Sequence, residues 1–267
     1  MDDLYFLINV FDRIDVFLLI LVRIVGFFVI LPIFTGANIP TIVRMAFSIG
    51  FAFMVYTTGL YGEVDIFFND DIMVFFFMLV IEFVVGFTMS YVVYMVFALL
   101  YIVGQFMDDA IGYNMVSIMD PSATMQAPVT GNLLYLMAMA MLISTGGLNR
   151  ILSAFFFSFA SAPVGTVSIF DQSQMFLYII DLFISTFQMA LQIAMPIVGS
   201  ILVINVGLGL LVKASPQMNI FVVGMPLRIL LGILLFFALM PIFSGVYDIL
   251  IGITMDSFRQ IVIFISR

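Results

Sequence analysis

The chain has 267 residues, of which 64% are hydrophobic and only 9% charged, more apolar matter than a water-soluble domain can keep off its surface. With no Cys and no His, thiolate nucleophiles, disulfides, iron–sulfur ligation, the usual zinc sets and the commonest neutral-pH general base are all excluded. The net charge of -8 and the absence of basic clusters exclude a nucleic-acid partner, which would require a face able to neutralise phosphates.

The chain opens Met1-Asp2-Asp3, acidic where a cleavable signal peptide carries Lys or Arg, so the apolar stretch that follows is expected to be retained as a membrane segment. A spanning helix takes about 20 apolar residues. By that measure apolar runs lie at Val16 to Phe34, Met45 to Leu60, Ile72 to Phe106, Val129 to Leu148, Met175 to Val212 and Ile220 to Ile242, followed by a shorter amphipathic tail, Val246 to Ser266. The expected fold class is therefore all-α, built from multi-pass membrane-type helical hairpins. Ile72 to Phe106 as one helix would reach roughly 50 Å, against about 30 Å of hydrocarbon. It and the run from Met175 must tilt, bend or project beyond the bilayer. Arg13, Arg44, Arg150, Lys213, Arg259 and Arg267 fall on both sides of any alternating threading, so the positive-inside rule assigns no orientation.

Turn chemistry places the connections. Thr35 to Pro40 ends the first run, and an acidic stretch from Tyr61 to Asp71 follows the second. The connection from Met107 to Pro128 is the longest that is not strongly apolar. It holds Asp108, Asp109, Gly112, Asn114, Met115, Met119, Asp120, Pro121 and Gln126, and loops of such length in compact helical proteins are functional or disordered. Ser161 to Gly165 breaks another helix, and Lys213 to Asn219 forms a polar turn between two apolar runs, a helical hairpin. The hexapeptides from Leu31 and Met240, both reading Pro-Ile-Phe after the first residue, echo one another, either as a transporter repeat or as ordinary helix stops.

Arg23, Glu82 and Arg228 lie inside apolar runs, where a charge costs several kcal/mol and must find a partner or water. They form either a proton or ion relay or a structural salt bridge and interface charges. The 21 Met are adaptable in shape, and Met107, Met115, Met119 and Met125 could line a soft seal in the long connection, or simply reflect composition. No catalytic set emerges: Lys213 is the only lysine, so Ser and Thr lack a base, and no cofactor or metal site is expected. Gly207-Leu208-Gly209 matches half of a dinucleotide fingerprint but follows a helical run, so close helix packing explains it better.

Taken in order, Arg23, Gly26, Pro32, Phe34, Pro40 and Arg44, then Glu82 and Gly86, Gly104-Gln105, Gly112, Asp120-Pro121, Gln126 and Pro128-Val129, then Gly146-Gly147, Pro163-Val164-Gly165, Pro196, Asn205, Gly207 to Gly209, Pro216 to Phe221, Gly224 and Pro226 resemble the flagellar biosynthetic protein FliR family. That family is the R-type subunit of the type III secretion export gate. The likeness runs from about Phe11 to Phe258, and Gly104 to Val129 and Pro216 to Pro226 are its most specific parts.

The resemblance implies a non-enzymatic subunit, without cofactors, that assembles with P-type and Q-type subunits into a helical export gate of long bent helices. It implies B-type and A-type export components as further partners, and unfolded flagellar proteins as cargo. Residues 1–174 would be the P-type-like part and 175–267 the Q-type-like hairpin and C-terminal helix. The loop of residues 107–128 would be the family's plug, with Gly112, Met115, Met119, Asp120 and Pro121 in it. Arg23, Glu82 and Arg228 would be charges at interfaces. The turn with Lys213, Pro216, Gln217 and Asn219 would face the B-type partner. The expected location is the bacterial inner membrane, in the flagellar basal body. Leu148 and Lys213 depart from residues common in the family, His or another polar group and Arg respectively. From a different class, an ion-coupled secondary transporter using Glu82 with Arg23 or Arg228 stands as the alternative, and a membrane-embedded enzyme lacks any acid–base cluster.

Overall fold

The computed structural model describes residues 13–35, 39–61, 72–113, 128–166, 173–215 and 220–266. Among them every regular element is helical: α1 (Ile14–Ile30), α2 (Thr41–Thr58), α3 (Ile72–Ile111), α4 (Val129–Ser144), α5 (Gly147–Ser161), α6 (Ser173–Ala214), α7 (Ile220–Leu239), a 3-10 turn at Met240–Ile242, and α8 (Phe243–Ile265). The all-α expectation holds.

Proline and glycine set the boundaries. α1 stops before Leu31-Pro32, because the residue ahead of a proline is pushed out of the helical region. α2 begins directly after Pro40 and ends at Gly59, whose φ of 67° is left-handed. The apolar run expected over Val129 to Leu148 is helical only to Ser144, since Gly146 takes φ 70° and the chain restarts at Gly147 as α5. Glycine adopts that conformation without a Cβ penalty, so hydropathy continues through a point where the backbone does not. The expected short amphipathic tail is a full 23-residue helix, α8, joined to α7 through the 3-10 turn at Pro241. Both Pro-Ile-Phe hexapeptides thus sit at helix ends, Ile30 and Leu239.

Among the described residues four helical stretches are long and apolar enough to cross a membrane: Thr41–Thr58, Ile72–Ile111, Gln174–Ala214 and Val222–Ile265, the last running through α7 and α8. α3 has 40 residues and α6 has 42, so each is about 60 Å long, twice the hydrocarbon thickness. α6 contains Pro196 and α7 contains Pro226, each removing one i to i−4 hydrogen bond.

The chain divides into two compact units. One contains residues 1–95, 146–180 and 252–267. Its core is aromatic: Phe27 of α1 stacks on Phe155 of α5 at 3.9 Å between centroids and meets Phe258 of α8 edge-on at 6.4 Å, while Phe28 stacks on Phe51 of α2 at 5.5 Å. Such pairs add to the burial energy through their quadrupoles. The other contains residues 96–145 and 181–251. There Tyr101 of α3 stacks on Tyr135 of α4 at 4.8 Å, Phe106 meets Phe187 of α6 edge-on at 6.2 Å, and Thr145 shares a 2.7 Å hydrogen bond with Tyr247 of α8.

Candidate functional site

In the first unit, Arg23 and Glu82 are both fully buried and form an ion pair through Arg23 Nε and Glu82 Oε2. α1 and α3 approach closely enough for this because each carries a glycine at the crossing. A β-carbon on Gly26 would lie 2.5 Å from the Phe83 carbonyl oxygen, and one on Gly86 would lie 1.9 Å from the Arg23 carbonyl oxygen. Gly26 follows Arg23 by three residues and Gly86 follows Glu82 by four, so charge and glycine share one face of each helix.

The turn after α5 meets further valences of the pair, while Arg23 Nη2 is buried without a hydrogen-bond partner among the described residues. Pro163 stops that helix, and Gly165 adopts φ 77°, freeing its N–H to donate to Glu82 Oε1 at 2.7 Å. Arg23 Nη1 donates to the Ala162 carbonyl at 2.9 Å, and the guanidinium lies 4.7 Å from the centre of the Phe159 ring. Both Glu82 oxygens are therefore engaged within the protein. The pair acts as a tie between α1, α3 and the α5 turn, since a buried charge is tolerated only when paired and hydrogen-bonded.

α3 runs on to Ile111, so the connection expected from Met107 begins at Gly112, and in the second unit its two ends meet. The Asp108 backbone carbonyl accepts from Gly112 N–H at 2.9 Å and Tyr113 N–H at 3.0 Å, with Gly112 left-handed at φ 96°. That is a glycine stop for α3. The carboxylate of the same residue accepts the Thr130 N–H, at 3.2 Å to Oδ2, and the Thr130 hydroxyl through Oδ1. α4 has no capping side chain of its own, because Pro128 precedes its first residue, and Asp108 supplies the acceptor from α3. One turn back on α3, a β-carbon on Gly104 would lie 2.0 Å from Gly131 Cα. Burial pushes the Tyr113 phenol above its ordinary value and the Asp108 carboxylate adds to this, so the phenol stays neutral.

The other expected residues are distributed as follows. Gly112 is buried at the stem just described, while Met115, Met119, Asp120 and Pro121 lie outside the described residues. Arg228 sits partly buried on α7, and its Nε is buried without a hydrogen-bond partner among the described residues. Lys213 is exposed near the end of α6, and Pro216, Gln217 and Asn219 lie outside the described residues. Gly207 and Gly209 are exposed, and a β-carbon on either would meet nothing within 4 Å. The close packing expected of them is not made among the described residues. The roles of Ala162, Gly165 and Thr130 were missed in the sequence, since backbone donors and acceptors are the same for almost every residue type. No group of three or more Asp and Glu among the described residues could hold a metal ion.

The family model for bacterial export proteins, family 1, matches residues 14–253. The chain is 26% identical to the flagellar biosynthetic protein FliR of Bacillus subtilis (strain 168) over 97% of this chain and 98% of that protein. It is 25% identical to the FliR of Escherichia coli (strain K12) over 87% of this chain and 90% of that protein. It is also similar to Yop proteins translocation protein T of Yersinia pestis, at 27% identity over 79% of this chain and 80% of that protein.

Proposed function

The chain belongs to the bacterial export proteins, family 1, and from that membership we propose that it is a non-enzymatic subunit of a flagellar type III export gate. It helps form and seal the conduit through which unfolded flagellar proteins pass. The observation that carries this reading is the match of the family model over residues 14–253, combined with near end-to-end similarity to a flagellar FliR. Two helices of about 60 Å fit an assembly whose depth exceeds a bilayer better than a simple bundle of spans.

In this reading the protein sits in the bacterial inner membrane within the basal body. It assembles with P-type and Q-type subunits and meets B-type and A-type components. Residues 1–174 form the P-type-like part, and residues 175–267 the Q-type-like hairpin of α6 and α7 with α8. The broad apolar surface supports partners along the helices: Leu202, Val203, Leu210 and Leu211 of α6 and Val222, Leu230, Leu234 and Phe237 of α7 are all exposed. The connection between α3 and α4 is the plug, its stem held by Asp108 in the last turn of α3, and Lys213 marks the hairpin end that faces the B-type component. The arrangement around Arg23 and Glu82 supports a structural tie rather than ion coupling, because both Glu82 oxygens are occupied.

The test is a mild-detergent pull-down of the tagged chain from its own cells, with mass spectrometry of the intact complex. Recovery in a fixed complex with P-type and Q-type subunits is expected. A lone monomer or a homodimer would overturn the reading.

A further inference from the structure

From the geometry of the second unit we infer that Asp108 is the positioning residue of the gate: it fixes both roots of the connection that the proposed function assigns as the plug, and this inference rests on that assignment. Asp108 is 1% exposed, yet no cation contacts it among the described residues. All of its recorded partners belong to the two chain ends that flank the connection. Its carbonyl receives the N–H groups of Gly112 and Tyr113, where α3 stops. Its carboxylate receives the N–H and hydroxyl of Thr130, in the first turn of α4.

A carboxylate buried in apolar surroundings is costly unless its lone pairs are met. Here they are met by donors in the first turn of a helix, whose N–H groups have no partner within that helix. Asparagine cannot substitute fully, since its amide nitrogen would face a donor where the second oxygen now accepts. The glycine pair Gly104 and Gly131 brings the two backbones into contact one turn away, so the carboxylate has little freedom to release one root while keeping the other. Asp108 therefore sets where the connection leaves and re-enters the helical body, and hence where anything it carries can sit. This is a role through position, with no contact to cargo required.

The test compares Asp108→Ala, Asp108→Asn, Thr130→Val and Thr130→Ser in the whole assembled complex, with deletion of residues 114–119 as reference. Two readouts are taken: hydrogen exchange at the amides of residues 129–133, and leak of small ions across the membrane in cells. Asp108→Ala is expected to assemble, to lose amide protection in that turn, and to leak about tenfold or more above wild type, the change that losing hydrogen bonds to a charged group brings. Asp108→Asn and Thr130→Val should fall between, and Thr130→Ser, which keeps the hydroxyl, should match wild type. A leak from the deletion with none from Asp108→Ala would overturn the positioning role while sparing the plug. No leak from the deletion would overturn the plug assignment instead, and unchanged exchange in Asp108→Ala would overturn the clamp whatever the leak.

Discussion

Gly86 lies against Arg23 so closely that a β-carbon built on it would fall 1.9 Å from the Arg23 carbonyl oxygen. The obstacle is backbone in an adjoining helix, which cannot rotate away as a side chain can. Gly86→Ala must push α1 and α3 apart and stretch the Arg23–Glu82 pair with them. We expect it to cost at least the 1–3 kcal/mol typical of overpacking, about that or more. Gly50→Ala, in α2 with nothing within 4 Å of the added carbon, should be neutral or slightly stabilising. Thermal unfolding of the two variants in detergent decides it, and equal melting temperatures would refute the crossing argument.

Glu82→Gln keeps the shape but leaves the buried Arg23 charge uncompensated, which costs about 3–5 kcal/mol when a buried pair is broken from one side. Replacing both, as Arg23→Met with Glu82→Leu, removes two desolvation penalties together and should recover most of that loss. The double variant is expected to assemble and support motility. Should it fold yet abolish export, an ion-coupling role would be restored to Glu82.

α8 gathers its charges on one face, which also exposes Ile249 and Ile263. Phe243, Tyr247, Leu250, Thr254, Phe258, Ile261 and Ile265 are buried, while Asp248, Asp256, Arg259 and Gln260 are exposed. The Asp256 and Arg259 side chains are 77% and 80% exposed and lie 3.8 Å apart. Charges on a lipid-facing surface cost several kcal/mol each, so this face meets water or polar protein. The chain has no Cys, which makes single-cysteine labelling clean. Asp256→Cys should react with a charged maleimide in native membranes, whereas Val203→Cys on the apolar face of α6 should not. Comparable labelling at both positions would refute the assignment.

A cavity of about 210 Å³ lies in the second unit among Met107, Leu134, Pro196, Ile197, Phe236 and Phe243. It occurs where Pro196 interrupts α6 and the 3-10 turn joins α7 to α8. Val246→Leu at its edge adds one methylene and should stabilise by about 0.8 kcal/mol. Leu134→Ala enlarges the space and should cost about 2–5 kcal/mol. Melting temperatures that fail to move in opposite directions would show that the space is not a packing defect.

The length of the apolar runs determined the helical membrane class, because a continuous apolar stretch of about 20 residues satisfies its backbone in lipid as a helix, whereas a barrel strand alternates apolar with polar residues. Pro and Gly marked most of the ends: Pro32, Pro40, Gly59, Gly112, Pro163 and Gly165 all fall where helices stop or start, since their allowed backbone angles are local properties. The break at Gly146 is not legible in the hydropathy because apolar residues continue on both sides of it, and hydropathy carries no information about φ. That Arg23, Glu82 and Arg228 need partners was legible, for the cost of a buried charge is paid wherever it lies. Which partners they take was not. Only the tertiary structure decided that Arg23 pairs with Glu82, 59 residues away, and that Asp108 caps a helix beginning 21 residues later at Val129. Those choices depend on which glycines let two backbones touch, and on backbone N–H and carbonyl groups that every residue carries alike.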